Sequence, residues 1–148
     1  MPIDVLSEIE IARPRDIVAA YACDPDNTPA WHETVKAVDW RSSKPLEVGS
    51  RVAFVEQFLG RDVPYTYDVH ELVPGDRLVM STDDGPFPME TTYDFEDTGD
   101  GATRMTLRNR GEPVGLSKVS ARMAAAALRR ASRKNLRALK AILERPDG

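Results

Sequence analysis

The sequence predicts an α+β fold of about seven antiparallel strands, two short helices after the first strand and one long helix at the C-terminal end. Three observations carry the prediction. Between residues 35 and 110 the chain repeats short stretches rich in β-branched and aromatic residues, divided by Gly, Pro and Asp. The connections between those stretches suit hairpins and leave no room for the crossover helices of a parallel sheet. From Gly115 to Glu144 the period changes to that of a helix, uninterrupted by proline.

The first segment, IDVLSEIEIA, alternates apolar and polar residues and reads as a strand with Ile9 and Ile11 on one face. RPRDIVAAYACDP then switches period: Pro14 suits a first helical turn, Ile17, Val18 and Tyr21 form an apolar stripe, and Asp24-Pro25 stops it. In DPDNTPAWHETV, the residues Asp24, Asn27 and Thr28 are good N-caps and Pro29 fits the first helical position, which predicts a short helix over residues 29–33 carrying Trp31 and His32. Six strands follow: VKAVDWRS, SRVAFVEQFLG, VPYTYDVHELV, DRLVMST, METTYDFED and ATRMTLRNR. EVGS, GRD, VPGDR, DDGPFP and DTGDGA supply the turns between them.

The final stretch, GLSKVSARMAAAALRRASRKNLRALKAILE, has high helix propensity. Its periodicity predicts a buried stripe through Leu116, Ser120, Met123, Ala124, Ala127, Leu128, Ala131, Ala138, Leu139 and Ile142. Lys118, Arg122, Arg129, Arg133, Arg137 and Lys140 fall opposite. The small residues Ala124, Ala127 and Ala131 either hold a space open beneath the helix or let it sit close.

The chain of 148 residues predicts a single domain, residues 1–148, large enough to bury a core without disulfides or metal. Apolar residues make up 41% and charged residues 30%, and no apolar run approaches the roughly 20 residues of a membrane span. The opening MPIDVLSEIE lacks the pattern of a secretory signal and Cys23 is the lone cysteine, so a cytoplasmic location and a structural thiol are expected. Net charge is −4 but unevenly spread: residues 1–100 hold 21 acidic against 8 basic residues, whereas residues 101–148 hold 3 against 12. The basic helix is either a docking face for an anionic partner or a solvated face that complements the acidic remainder of the chain.

HExxH, cysteine pairs, GxSxG, a P-loop and GxGxxG are all absent, and the two histidines, His32 and His70, are far apart in sequence; no metal and no cofactor are expected. His32 is either an exposed helix residue or an acid/base at a pocket mouth. His70 has the parity of an outward side chain. Polar residues at the parity of apolar strand positions are Gln57 or Glu56, depending on register, with Glu71 and Asn109, and Asn135 lies on the helix stripe. Trp31 either packs the short helix onto the sheet or lines a pocket rim.

The order of elements, the entry Ala12 to Pro14, the Asp-Pro and Trp-His segment from Asp24 to His32, VHELVPGDRL and the closing NLRALKAILE together resemble the START-like superfamily. More narrowly, the chain is similar to the bacterial polyketide cyclase/dehydrase and lipid-transport family, often labelled SRPBCC. The resemblance covers the whole chain. It implies a helix-grip fold, in which a curved sheet wraps the long helix and encloses a hydrophobic small molecule such as a lipid, a polyketide-like aromatic or an isoprenoid. Trp31, Phe54, Phe58, Tyr65, Tyr67, Met80, Phe87, Met89, Tyr93, Met105, Met123 and Ala127 are the expected cavity residues, adaptable aromatic, methionine and alanine side chains on the strands, the helices and their connections. Of the strand pairs, Tyr65 with Tyr67, Tyr93 with Phe95 and Met105 with Leu107 each share a face and are expected inward. The alternative to a binder is a cofactor-free cyclase or dehydratase using tyrosine hydroxyls and buried carboxylate or amide groups, although no catalytic signature transfers residue by residue. No nucleic acid and no stable membrane insertion are expected, and the chain is expected to be a monomer or a homodimer.

Overall fold

A computed structural model describes residues 2–58, 60–84, 88–113, 115 and 117–145. In chain order the elements are β1 (Ile3–Ile11), α1 (Arg15–Ala22), a 3₁₀ turn (Pro25–Asn27), α2 (Thr28–Trp31), β2 (Val35–Trp40), β3 (Arg51–Phe58), β4 (Arg61–Val73), β5 (Arg77–Thr82), β6 (Met89–Asp97), β7 (Thr103–Gly111) and α3 (Lys118–Leu143). The seven strands form one sheet in the order β1-β7-β6-β5-β4-β3-β2, with every pair antiparallel. Strands β2 to β7 follow one another hairpin by hairpin along the chain, and only β1 is placed out of turn, beside β7.

The pleat sends alternate residues to one face, and the apolar parity of each strand decides which face is buried. Tyr93 stands opposite Leu107 and Leu78, while Phe54 stands opposite Tyr65, so the inner face is continuous across the sheet. Two bulges adjust it, between Val35 and Ala37 in β2 and between Val69 and Glu71 in β4. His70 is the extra residue of the second bulge and is exposed, with its ring hydrogen-bonded to Ser81. Between β4 and β5, Pro74 and Gly75 make the turn closed by the Asp76 N–H on the Val73 carbonyl at 2.9 Å. Gly75 has a φ of 78°, the left-handed value that such a turn needs at its third residue.

The short helical segment begins earlier than residues 29–33. Asp24 caps the 3₁₀ turn by accepting from the Asp26 N–H at 3.0 Å, and α2 is finished at Trp31. Trp40 and Lys44 both bond Asp26, at 2.8 and 2.7 Å, and so tie β2 and the following loop to this segment.

α3 lies along β1 and touches α2 at its middle. Its Ser117 cap accepts from the Ser120 N–H. The buried face differs from the predicted stripe: it runs through Ala121, Ser132, Asn135, Leu136, Leu139 and Leu143. Met123 is 68% exposed and Ala127 and Ser120 are exposed as well, while Leu116 lies outside the described residues. The cause is chemical: alanines occupy every face of the helix between residues 121 and 131, so only the bulky C-terminal residues fix its rotation. Of the helix's basic residues, Lys134 pairs with Glu33 and Lys140 with Glu144, both at 2.7 Å. No described helix is long and apolar enough to cross a membrane.

Candidate functional site

The core is divided into a filled end and an open end. Ile11, Val18, Phe95, Met105, Leu136 and Leu139 pack together where β1, β6 and β7 meet the C-terminal half of α3. Toward β3 and β4 the sheet and helix diverge around a cavity of about 350 Å³, within the range of small-molecule sites. The exposed Asp84 is part of its lining, so the cavity reaches the surface there.

Trp31, Phe54, Tyr65, Tyr67, Met80, Met89 and Tyr93, seven of the residues expected from the sequence, line this space. The remaining expectations fall elsewhere. Met105 is fully buried in the filled end, one residue pair along β7 from the lining Leu107. Met123 and Ala127 point away to solvent, and the helix contributes Leu128, Ala131, Ser132 and Asn135 instead. Phe87 lies outside the described residues, as does the side chain of Phe58.

Aromatic side chains give the cavity its walls. Phe54 and Tyr67 meet edge to face with ring centroids 5.5 Å apart, and Trp31 meets Tyr93 in the same way at 6.0 Å. Trp31 therefore does both things open to it, packing α2 on the sheet and lining the cavity. It is 2% exposed, and its indole N–H is buried without a partner among the described residues. Burial pushes the Tyr67 hydroxyl up to about 12 and raises Tyr93 further, so both stay protonated at neutral pH.

Polar groups are grouped at two places on the wall. On β6 and β7, Thr91 donates to the Asn109 amide oxygen at 2.7 Å. Near α2, Thr34 Oγ1 lies 2.8 Å from Glu56 Oε1 and 3.3 Å from His32 Nδ1. Register settles the choice between Glu56 and Gln57: Glu56 shares the inward parity of Val52 and Phe54, and Gln57 is exposed. Glu71, by contrast, is exposed on the outer face. Asn135 is buried and accepts from the Glu33 N–H at 3.0 Å, which fixes the end of α2 against α3.

Of the two positions open to His32, exposed on a helix or at a pocket mouth, the structure gives a half-buried ring on the cavity wall. Burial lowers its pKa to about 4, against the opposing charge of Glu33, so the ring is neutral at pH 7. Burial also raises the Glu56 carboxyl above its usual range, with the Thr34 hydrogen bond working the other way. The sequence shows Thr34, His32 and Glu56 only as isolated polar residues; the β2–β3 pairing, with Val35 opposite Glu56, is what assembles them. No lysine or arginine is among the described lining residues, and no group of three or more potential metal ligands is found among the described residues.

The shape is shared widely. A START superfamily protein from Mycobacterium smegmatis superposes with a TM-score of 0.80 at 13% identity, covering 95% of this chain and 97% of that one. The Zhui aromatase/cyclase from Streptomyces sp. R1128 superposes with a TM-score of 0.83 at 14% identity, covering 100% and 99%. StfQ, a di-domain aromatase/cyclase from the steffimycin biosynthetic pathway, matches with a TM-score of 0.80 at 17% identity over 97% of this chain and 52% of that chain. No curated protein matches the sequence. The family model described as polyketide cyclase/dehydrase and lipid transport matches residues 2–144, and the chain belongs to that family.

Proposed function

We propose that the protein binds an uncharged aromatic or polyketide-like small molecule in the cavity between the sheet and α3. The observation that carries this reading is the cavity itself, about 350 Å³ of space walled by Trp31, Phe54, Tyr67, Met80 and Tyr93 in a protein whose other end is filled. The walls favour flat rings, which stack on or meet the edges of aromatic side chains. The charge pattern narrows the class. A fatty-acid carboxylate or a lipid phosphate would meet the carboxylates of Glu56 and Asp84 and no cationic side chain among the described lining residues.

Binding is tested by native mass spectrometry and by tryptophan emission in a Trp40→Phe variant, in which Trp31 is the remaining tryptophan. The panel holds β-tetralone, an isoprenoid alcohol and a fatty acid. Retention of the uncharged aromatic ketone, with a change in Trp31 emission and weaker retention of the fatty acid, is the expected result. No retained compound and an unchanged emission would remove the reading. A second reading, a cofactor-free cyclase or dehydratase, is favoured by one observation, the convergence of His32, Thr34 and Glu56 on the cavity wall.

A further inference from the structure

His32, Thr34 and Glu56 come from the end of α2, the loop before β2 and the strand β3, and all three line the cavity. Their hydrogen bonds leave little freedom. The single Thr34 hydroxyl proton goes to Glu56 Oε1 at 2.8 Å when the carboxyl is ionised, so at the longer contact of 3.3 Å His32 Nδ1 must be the donor. This selects the Nδ1–H tautomer. The lone pair then sits on Nε2, and the hydrogen bond of the ring among the described residues is the one at Nδ1.

We propose that these three side chains form a proton relay that removes the α-proton of an enolisable carbonyl compound held in the cavity. The proposal rests on the small-molecule reading above. His32 Nε2 takes the proton from carbon, the Nδ1 proton passes to Thr34 Oγ1, and the Thr34 proton passes to Glu56 Oε1. The carbon–hydrogen bond breaks, its electron pair becomes the enolate, and the product side holds a neutral Glu56 and a neutral imidazole of the opposite tautomer. Reversal returns the proton to carbon. The relay gives a half-buried imidazole a way to act as a base without carrying charge, since the change in charge falls on Glu56 and on the ligand oxygen.

The neighbouring Trp31 supplies what the enolate needs. Its ring centroid is 6.2 Å from that of His32, and its indole N–H is a buried donor lacking an acceptor among the described residues. A small turn of the indole that brings this N–H to the cavity would let a ligand carbonyl oxygen accept from it, and the hydrogen bond would strengthen as negative charge develops on the oxygen. His32 is thus the catalytic base, Trp31 the group that holds the oxygen, and Thr34 a positioning residue that also passes the proton.

The test follows exchange of the benzylic protons of β-tetralone in D₂O by NMR, with binding measured in parallel by Trp31 emission. The wild-type protein exchanges them faster than buffer. His32→Gln, Glu56→Gln and Thr34→Val each lower the rate by at least about 100-fold while binding persists, and Thr34→Ser restores it. A long-range proton–nitrogen correlation spectrum of the free protein shows His32 protonated on Nδ1. Exchange no faster than buffer with the ketone bound, an unchanged rate in His32→Gln or Thr34→Val, or a His32 protonated on Nε2 in the free protein at neutral pH would overturn the relay and leave the binding reading standing. Absence of binding would remove both.

Discussion

The two halves of α3 share one helix but have different duties. The C-terminal half is held along its buried face and at its end. Leu136 and Leu139 are buried, Arg13 donates to the Leu143 carbonyl at 2.9 Å, the Ala12 N–H donates to Glu144 at 2.7 Å, and Lys140 donates to the Glu10 carbonyl at 2.7 Å. The N-terminal half buries Ala121 and leaves Val119 66% exposed and Met123 68% exposed. Between them Leu128, Ala131, Ser132 and Asn135 form one wall of the cavity. The difference teaches where the space comes from. One end of the helix is clamped to β1 by large side chains and hydrogen bonds, and the middle of the helix carries residues too small or too polar to fill the gap to β3 and β4.

Substitutions that test the clamp have the largest effects. Leu139→Ala empties a fully buried site and is expected to cost about 3 kcal/mol in urea unfolding, whereas Met123→Ala is expected to change stability by less than about 0.5 kcal/mol. Equal losses at the two positions would erase the contrast. The next effect is one of pH. Below 6.5 the unfolded chain protonates at His32 while the folded chain resists down to about 4, so stability falls as pH falls through that window, by up to about 3 kcal/mol. Glu56 acts oppositely: its raised carboxyl pKa stabilises the fold below the ordinary value of 4.5, an effect lost as pH rises through the folded value. The His32→Gln variant therefore loses less stability on acidification than the wild type, as read from urea midpoints at pH 7 and pH 4.5.

Asn135→Ala removes the acceptor of the Glu33 N–H and is expected to cost about 1–2 kcal/mol, with α2 loosened on α3 and Trp31 emission shifted. The smallest effect concerns chemistry rather than stability. Burial pushes the Cys23 thiol up to about 12, so alkylation in the folded protein at pH 8 is expected to be far slower than in urea. A folded-state rate equal to the unfolded one would place Cys23 at an open surface instead.

Strand positions were legible because their period is two and each turn carries its own residues. Tyr65 and Tyr67, or Met89 and Tyr93, had to share a face once β4 and β6 were strands, and the sheet places them toward the cavity. The helix was legible in extent but not in rotation. Alanines at 121, 124, 125, 126, 127 and 131 satisfy several faces alike, and the polar Ser132, absent from the predicted stripe, is buried on the cavity wall beside Asn135, whose amide oxygen accepts from the Glu33 N–H. Met105 was misplaced by a matter of depth, since parity tells which face a side chain is on and not how far along the sheet the filled core ends. The grouping at His32 was hidden for a different reason. Glu56 is 22 residues from Thr34 and reaches it through the pairing of Val35 with Glu56, next to a bulge that alternation alone does not reveal.

The account stands most directly on where a ligand sits. Backbone and side-chain chemical shifts of the protein titrated with β-tetralone are predicted to move at Trp31, Phe54, Tyr67, Met80, Tyr93 and Ser132, with Val119 and Met123 unmoved. Shifts confined to the exposed turns of α3, or none at saturating ketone, would contradict a binding cavity between the sheet and the helix.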